Sequence, residues 1–193
     1  YKAGRELAKA SQTKADVVIA TPDSGLSAAT GYAHESGIPL EFGLLKNRYI
    51  GRTFIEPEKI RKNSVELKFN VIVESVAGKR VILVDDSLVR GNTLKHVISL
   101  LKSYGGKEVH VKIASPPIKY PDFYGIDTPK NNDLIASEYS EEEITRIIKA
   151  DSLEFLVLDK FIESTGLPKS RLNLSSFNGV YPIPVPENKK NTN

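Results

Sequence analysis

The chain has 193 residues, room for one good-sized domain with a sizeable core. Apolar residues make up 40% and charged residues 26%, no apolar run approaches the roughly 20 residues of a membrane span, and the 27 basic against 24 acidic side chains leave a net charge of +3 with no basic block. Membrane insertion is therefore excluded and nucleic acid is not indicated, while the absence of cysteine rules out disulfides, thiolate metal sites and cysteine nucleophiles within the chain.

In chain order, Ala15-Asp16-Val17-Val18-Ile19-Ala20 is a short apolar run ended by Pro22, as a buried strand is. Ser27 to Ser36 is alanine-rich and followed by Gly37, the pattern of a helix with a glycine stop. Pro39 to Leu45 reads as a second strand. From Lys46 to about Asn70 the chain is polar, basic and without period, a long connection of the kind that often serves as a lid. Lys79 to Asp86 is a β-branched run ending in two carboxylates, Asn92 to Tyr104 has helical apolar spacing, Gly105-Gly106 stops it, and Glu108 to Ala114 alternates as a strand. A loop from Pro116 to Asp133, a helix from Glu141 to Ala150, and a strand from Leu153 to Leu158 before a short helix complete the pattern. Strands alternating with helices predict an α/β domain with a central, mainly parallel β-sheet flanked by helices, spanning residues 1–186, with a polar, disordered tail at 187–193.

The segment from Val81 to Thr93 carries the most chemistry. Beyond the carboxyl end of a parallel strand, a loop feeding a helix offers free N–H groups and the positive end of the helix dipole, which suit a phosphate. Gly91 permits close backbone approach, Ser87, Asn92 and Thr93 add hydrogen-bond donors, Arg90 adds positive charge, and Leu88 and Val89 complete the loop. Asp85 and Asp86, side by side, repel one another unless they serve hydroxyls or a cation such as Mg²⁺. The same residue types also suit a plain strand that ends in Asp and caps a helix. Thr21-Pro22-Asp23-Ser24-Gly25, between the first strand and its helix, either binds a second anion, with the Ser24 hydroxyl as a metal ligand, or is a simple turn and cap.

Apolar residues, Asp85-Asp86, four residues, Gly91, one residue and Thr93 together resemble the phosphoribosyl-pyrophosphate (PRPP) signature of type I phosphoribosyltransferases. The resemblance implies that fold, with a flexible lid loop. It also implies that Asp85 and Asp86 attend the ribose hydroxyls and Mg²⁺, that Ser87 to Thr93 cradle the 5′-phosphate, and that Asp23, Ser24 and Gly25 receive pyrophosphate. Lys46-Asn47-Arg48-Tyr49-Ile50-Gly51-Arg52, with Ser64 to Asn70 and Tyr124 to Pro129, is similar to the glutamine PRPP amidotransferases (amidophosphoribosyltransferases), from about Val17 to Pro182. That resemblance implies transfer of the phosphoribosyl group from PRPP to ammonia, the first step of purine synthesis. It places Lys46, Tyr49 and Arg52 toward the substrate, with catalytic roles, on a lid over residues 46–70. Purine-nucleotide inhibition and a homo-oligomer are implied in the same way. The alternatives are a PRPP-binding regulator without catalysis and a nucleobase phosphoribosyltransferase.

Three departures from that family bear on these expectations. Glutamine-hydrolysing members begin with a catalytic cysteine on a glutaminase domain; a chain without Cys or Met that opens at Tyr1 is expected to be the phosphoribosyltransferase portion of a longer enzyme, with ammonia arriving free or from that missing domain. Some relatives carry an iron–sulfur cluster with cysteines in the segments matching Pro117 to Tyr124 and Asn173 to Phe177; Asp122 and Ser175-Ser176 occupy those neighbourhoods here, so no cluster is expected. Asn92 stands where Thr is common. His34, His96 and His110 have no ligand-like spacing and are assigned to surface or packing, and a cytoplasmic location is the default in the absence of a secretory leader.

Overall fold

The computed structural model describes residues 1–47, 69–125 and 133–185. A helix α1 (Lys2–Ala10) opens the chain, followed by β1 (Val17–Ala20), α2 (Leu26–Ser36), β2 (Leu44–Lys46), β3 (Phe69–Val71) and a single turn α3 (Val73–Val76). Then come β4 (Arg80–Asp85), α4 (Asn92–Ser103), β5 (Glu108–Ile113), the short α5 (Ile135–Glu138), α6 (Glu141–Ile148), β6 (Ser152–Phe155), α7 (Leu158–Thr165) and α8 (Ser175–Asn178). The main sheet has the order β1-β4-β5-β6 with every pairing parallel, and β2 and β3 form a separate antiparallel ribbon.

Both faces of the parallel sheet are covered, which is why its strands read as unbroken apolar runs. Side chains alternate between faces. Val17, Ile19, Val81, Leu83, Val109 and Val111 pack with α4 and α6, whereas Val18, Ala20, Ile82 and Val84 pack with α1 and α2. Gly37 ends α2 in the left-handed conformation at φ 73°, and Ser140 and Glu143 form a reciprocal capping box that starts α6. Glu141, Glu142 and Glu143 thus sit at the positive end of that helix.

One expectation needs correction, and one element had none. Pro39 to Leu45 is not one strand. Leu40 makes an isolated parallel bridge to Val18, residues 41–43 are irregular, and Leu44–Lys46 turns away to pair with Phe69–Val71. The apolar content misled because Phe42 is 66% exposed and Leu45 48% exposed. Helix α1 lacked a visible signal, since its only large buried side chain is Leu7; it docks through small residues. A Cβ at Gly4 would run into the backbone carbonyl of Ala28, so Gly4→Ala is expected to force α1 off α2 and to cost about 1–3 kcal/mol in chemical denaturation.

Candidate active site

The carboxyl end of β4 places Asp85 and Asp86 in contrasting settings. Asp85 is 7% exposed and Asp86 lies in the open. The Asp86 amide donates to Asp85 Oδ1 at 2.9 Å, and Ser87 Oγ donates to Asp86 Oδ1 at 3.2 Å. Burial, and next the Asp86 charge, push the Asp85 carboxyl up to about 8, with the Asp86 amide pulling the other way. Such a pair attracts a cation or hydroxyl donors, and its hard oxygen atoms fit Mg²⁺. Among the described residues no group of three His, Cys, Asp or Glu side chains forms a complete protein cage, so a metal here depends on its substrate for further ligands.

After Asp86 the loop crosses to α4. Among the described residues the amides of Ser87, Leu88, Val89, Arg90 and Gly91 donate to no acceptor, and the N-terminus of α4, at Asn92 and Thr93, carries no side-chain cap. Gly91, at φ 78°, turns the chain into the helix in a conformation other residues adopt only with strain. The loop is fastened from below: Leu88 is buried in the core, and Val89 O accepts from the Ile135 amide at 2.9 Å. A held loop with unspent amides at a helix start is an anion site. Of the residues expected there, Leu88 faces the core, and the Arg90 guanidinium pairs with Asp133 at 2.8 Å. Neither the Leu88 packing nor the Arg90 ion pair has a local signature, because Asp133 and Ile135 lie over forty residues downstream.

The second loop joins β1 to α2 and lies against the first. The Thr21 amide donates to Val84 O at 2.9 Å, and Gly25 packs so closely that a Cβ there would sit 2.5 Å from Val84 O and 3.2 Å from Asp85 Cα. The Pro22–Asp23 peptide is cis. Ser24 is exposed. Asp23 Oδ2 accepts from Lys46 Nζ at 3.0 Å, which brings the last residue of β2 to this loop. A cavity of about 330 Å³ lies between them, lined by Ala20, Pro22, Asp23, Leu40, Phe42 and Lys46 among others. Pairing of Lys46 with Phe69 brings the two ends of the 47–68 segment together beside the cavity. Tyr49 and Arg52 fall outside the described residues.

The structure thus brings Asp23, Ser24, Gly25, Lys46, Asp85 and Asp86 and the 87–93 loop to one end of the sheet. The histidines stand apart from it on three elements, with His110 held between Ser152 and Glu108 at 2.9 Å each. Asp122 Oδ1 accepts from the Tyr124 amide, while Ser176 O accepts from the amides of Lys119 and Tyr120, so the segments around Asp122 and Ser175-Ser176 meet through backbone bonds.

The phosphoribosyl transferase domain model matches residues 2–116, which contain both loops and three of the four strands of the parallel sheet. The chain belongs to the phosphoribosyl transferase domain family. Within that family it is 48% identical over 94% of its length to an amidophosphoribosyltransferase of Bacillus subtilis, and 49% identical over 93% to one of Staphylococcus aureus. It spans about two fifths of these curated relatives, 39% and 37% of their lengths. Among solved structures, the glutamine PRPP amidotransferase from B. subtilis complexed with ADP and GMP superposes with a TM-score of 0.83 at 48% identity, covering 94% of this chain and 41% of that one. The phosphoribosyl transferase fold expected from the Asp85–Thr93 signature is therefore the fold observed. Among the described residues no helix is long and apolar enough to cross a membrane.

Proposed function

We propose that this phosphoribosyl transferase domain catalyses transfer of the phosphoribosyl group of PRPP to ammonia, giving 5-phosphoribosylamine and pyrophosphate, as the synthase portion of a longer amidophosphoribosyltransferase. The observation that carries this reading is the buried Asp85 beside Asp86, followed by five amides without acceptors among the described residues, in a chain about half identical to enzymes of that name.

In this reading Asp85 and Asp86 hold the ribose hydroxyls and Mg²⁺, and the Ser87–Thr93 backbone holds the 5′-phosphate. Asp23, Ser24 and Gly25 frame the diphosphate, with the Ser24 hydroxyl as a further metal ligand. When bound, Mg²⁺ supplies charge neutralisation for the departing diphosphate. The bond from C1 to the diphosphate oxygen breaks as oxocarbenium character builds on the ribose, the C1–N bond forms, and the ammonium nitrogen gives up a proton. No covalent nucleophile is needed. Lys46 stands at the base of a lid that carries Tyr49 and Arg52 over the substrate, where closure excludes water that competes with ammonia. ADP and GMP are bound in the B. subtilis structure; purine nucleotides as inhibitors, a homo-oligomer, a partnering glutaminase domain and a cytoplasmic setting belong to the same proposal for this chain.

Incubation with PRPP, Mg²⁺ and an ammonium salt at alkaline pH is expected to release pyrophosphate in proportion to free ammonia. Release that depends on an added purine or pyrimidine base and ignores ammonia would assign the domain to nucleobase chemistry, and PRPP binding without any turnover would make it a sensor.

A further inference from the structure

Lys112 lies within β5 and is fully buried, although Val84, Ala114 and Leu156 on that face of the sheet are apolar. Its ammonium donates to Glu154 Oε1 of β6 at 2.6 Å and to Thr13 Oγ1 at 2.7 Å. Thr13 lies in the connection between α1 and β1, where its hydroxyl donates to Glu154 at 3.3 Å and accepts from Ser11 Oγ at 3.2 Å. The Thr13 amide in turn donates to Ser11 Oγ at 3.3 Å. Between the helix end at Ser11 and the sheet bond from the Asp16 amide to Arg80 O, the connection has no backbone hydrogen bond among the described residues. Side chains alone tie residues 12–15 to the domain.

We propose that Lys112 is a buried polar latch: through Thr13 and Glu154 it fixes how the α1–β1 connection docks on the sheet, and so holds α1 in a single seat. The energetics favour specificity over stability as its role. Burial keeps the Lys112 ammonium below the ordinary lysine value, with Glu154 opposing that shift, and an ion pair whose cation is buried while its carboxylate is partly exposed gains little beyond the desolvation of that cation. An apolar side chain of equal length fills the space without that penalty, but it offers nothing to the Thr13 hydroxyl. Seating matters here because α1 meets α2 through backbone-close contacts, Gly4 on Ala28 and Gly31 on Tyr1, that tolerate no sliding.

Hydrogen exchange followed by mass spectrometry on Lys112→Met and, separately, Thr13→Val tests the latch. The hydrogen-bonded amides of α1, from Arg5 to Ala10, are expected to exchange at least tenfold faster in both variants, while those of α4 keep wild-type rates. Thr13→Val removes only a half-buried hydroxyl and leaves the ion pair in place, so its effect on exchange reads the tie itself even where Lys112→Met folds poorly. Exchange of the Arg5–Ala10 amides within twofold of wild type in Thr13→Val, or acceleration shared equally by α4, would overturn the proposal.

Discussion

Asp85→Asn is expected to abolish PRPP-dependent pyrophosphate release and, at the same time, to stabilise the ligand-free chain at pH 8. The two effects have one cause. The folded-state value for the Asp85 carboxyl is about 8, raised first by burial and then by Asp86, against about 3.9 for an unfolded aspartate. Below pH ~4 the group is protonated in both states and costs nothing. As pH rises from there toward 8 the unfolded chain ionises while the folded one retains its proton, so stability is lost progressively across that window and levels off above it. Asparagine is neutral in both states and removes the dependence, a gain on the order of a few kcal/mol at pH 8. Chemical denaturation at pH 5 and pH 8 is expected to show a falling stability for the wild type and a flat one for the variant. Activity is expected to fall at least ~100-fold, the scale on which a group aligned with developing charge acts. A variant less stable than wild type at both values would mean that Asp85 is a structural anchor.

Gly25→Ala is expected to damage fold and site together. The added methyl would sit 2.5 Å from Val84 O and 2.9 Å from Thr21 O, both backbone atoms, so the β1–α2 loop must lift away from the end of β4. Overpacking of this kind costs about 1–3 kcal/mol and sometimes more. Because the loop that moves is the one assigned to pyrophosphate, its affinity for magnesium pyrophosphate is expected to drop at least tenfold. Gly37→Ala is the matching control: φ 73° strains the alanine, but nothing lies within 4 Å, so a loss of about 1 kcal/mol with unchanged pyrophosphate affinity is expected. Equal losses at the two positions would show that close approach at Gly25 is unimportant.

Much of this architecture was legible in the amino-acid order because its signals are local. Val81 to Val84 is apolar on both faces, as a strand between two helical layers must be; glycines at 37 and 91 mark a helix end and a helix start; and Asp85-Asp86 announces a charged strand terminus. What escaped depends on distance. Helix α1 is held by glycine-sized contacts, the Pro39–Leu45 run splits because its ends bond to different elements, and the partners of Arg90 and Lys112 come from residues 133 and 13. Arg90 is expected at the phosphate from its charge and from the motif; its ion pair with Asp133 is visible only in the tertiary structure. Tyr49 and Arg52 rest on the motif, since they lie outside the described residues.

Titration calorimetry with PRPP in the presence of Mg²⁺ examines the central assignment most directly. Saturable binding of one PRPP per chain, lost when Asp85 and Asp86 are both changed to Asn while the chain stays folded, is the expected result. An absence of binding to the wild-type chain, or an undiminished isotherm in the double variant, would contradict the placement of the sugar phosphate at the end of β4.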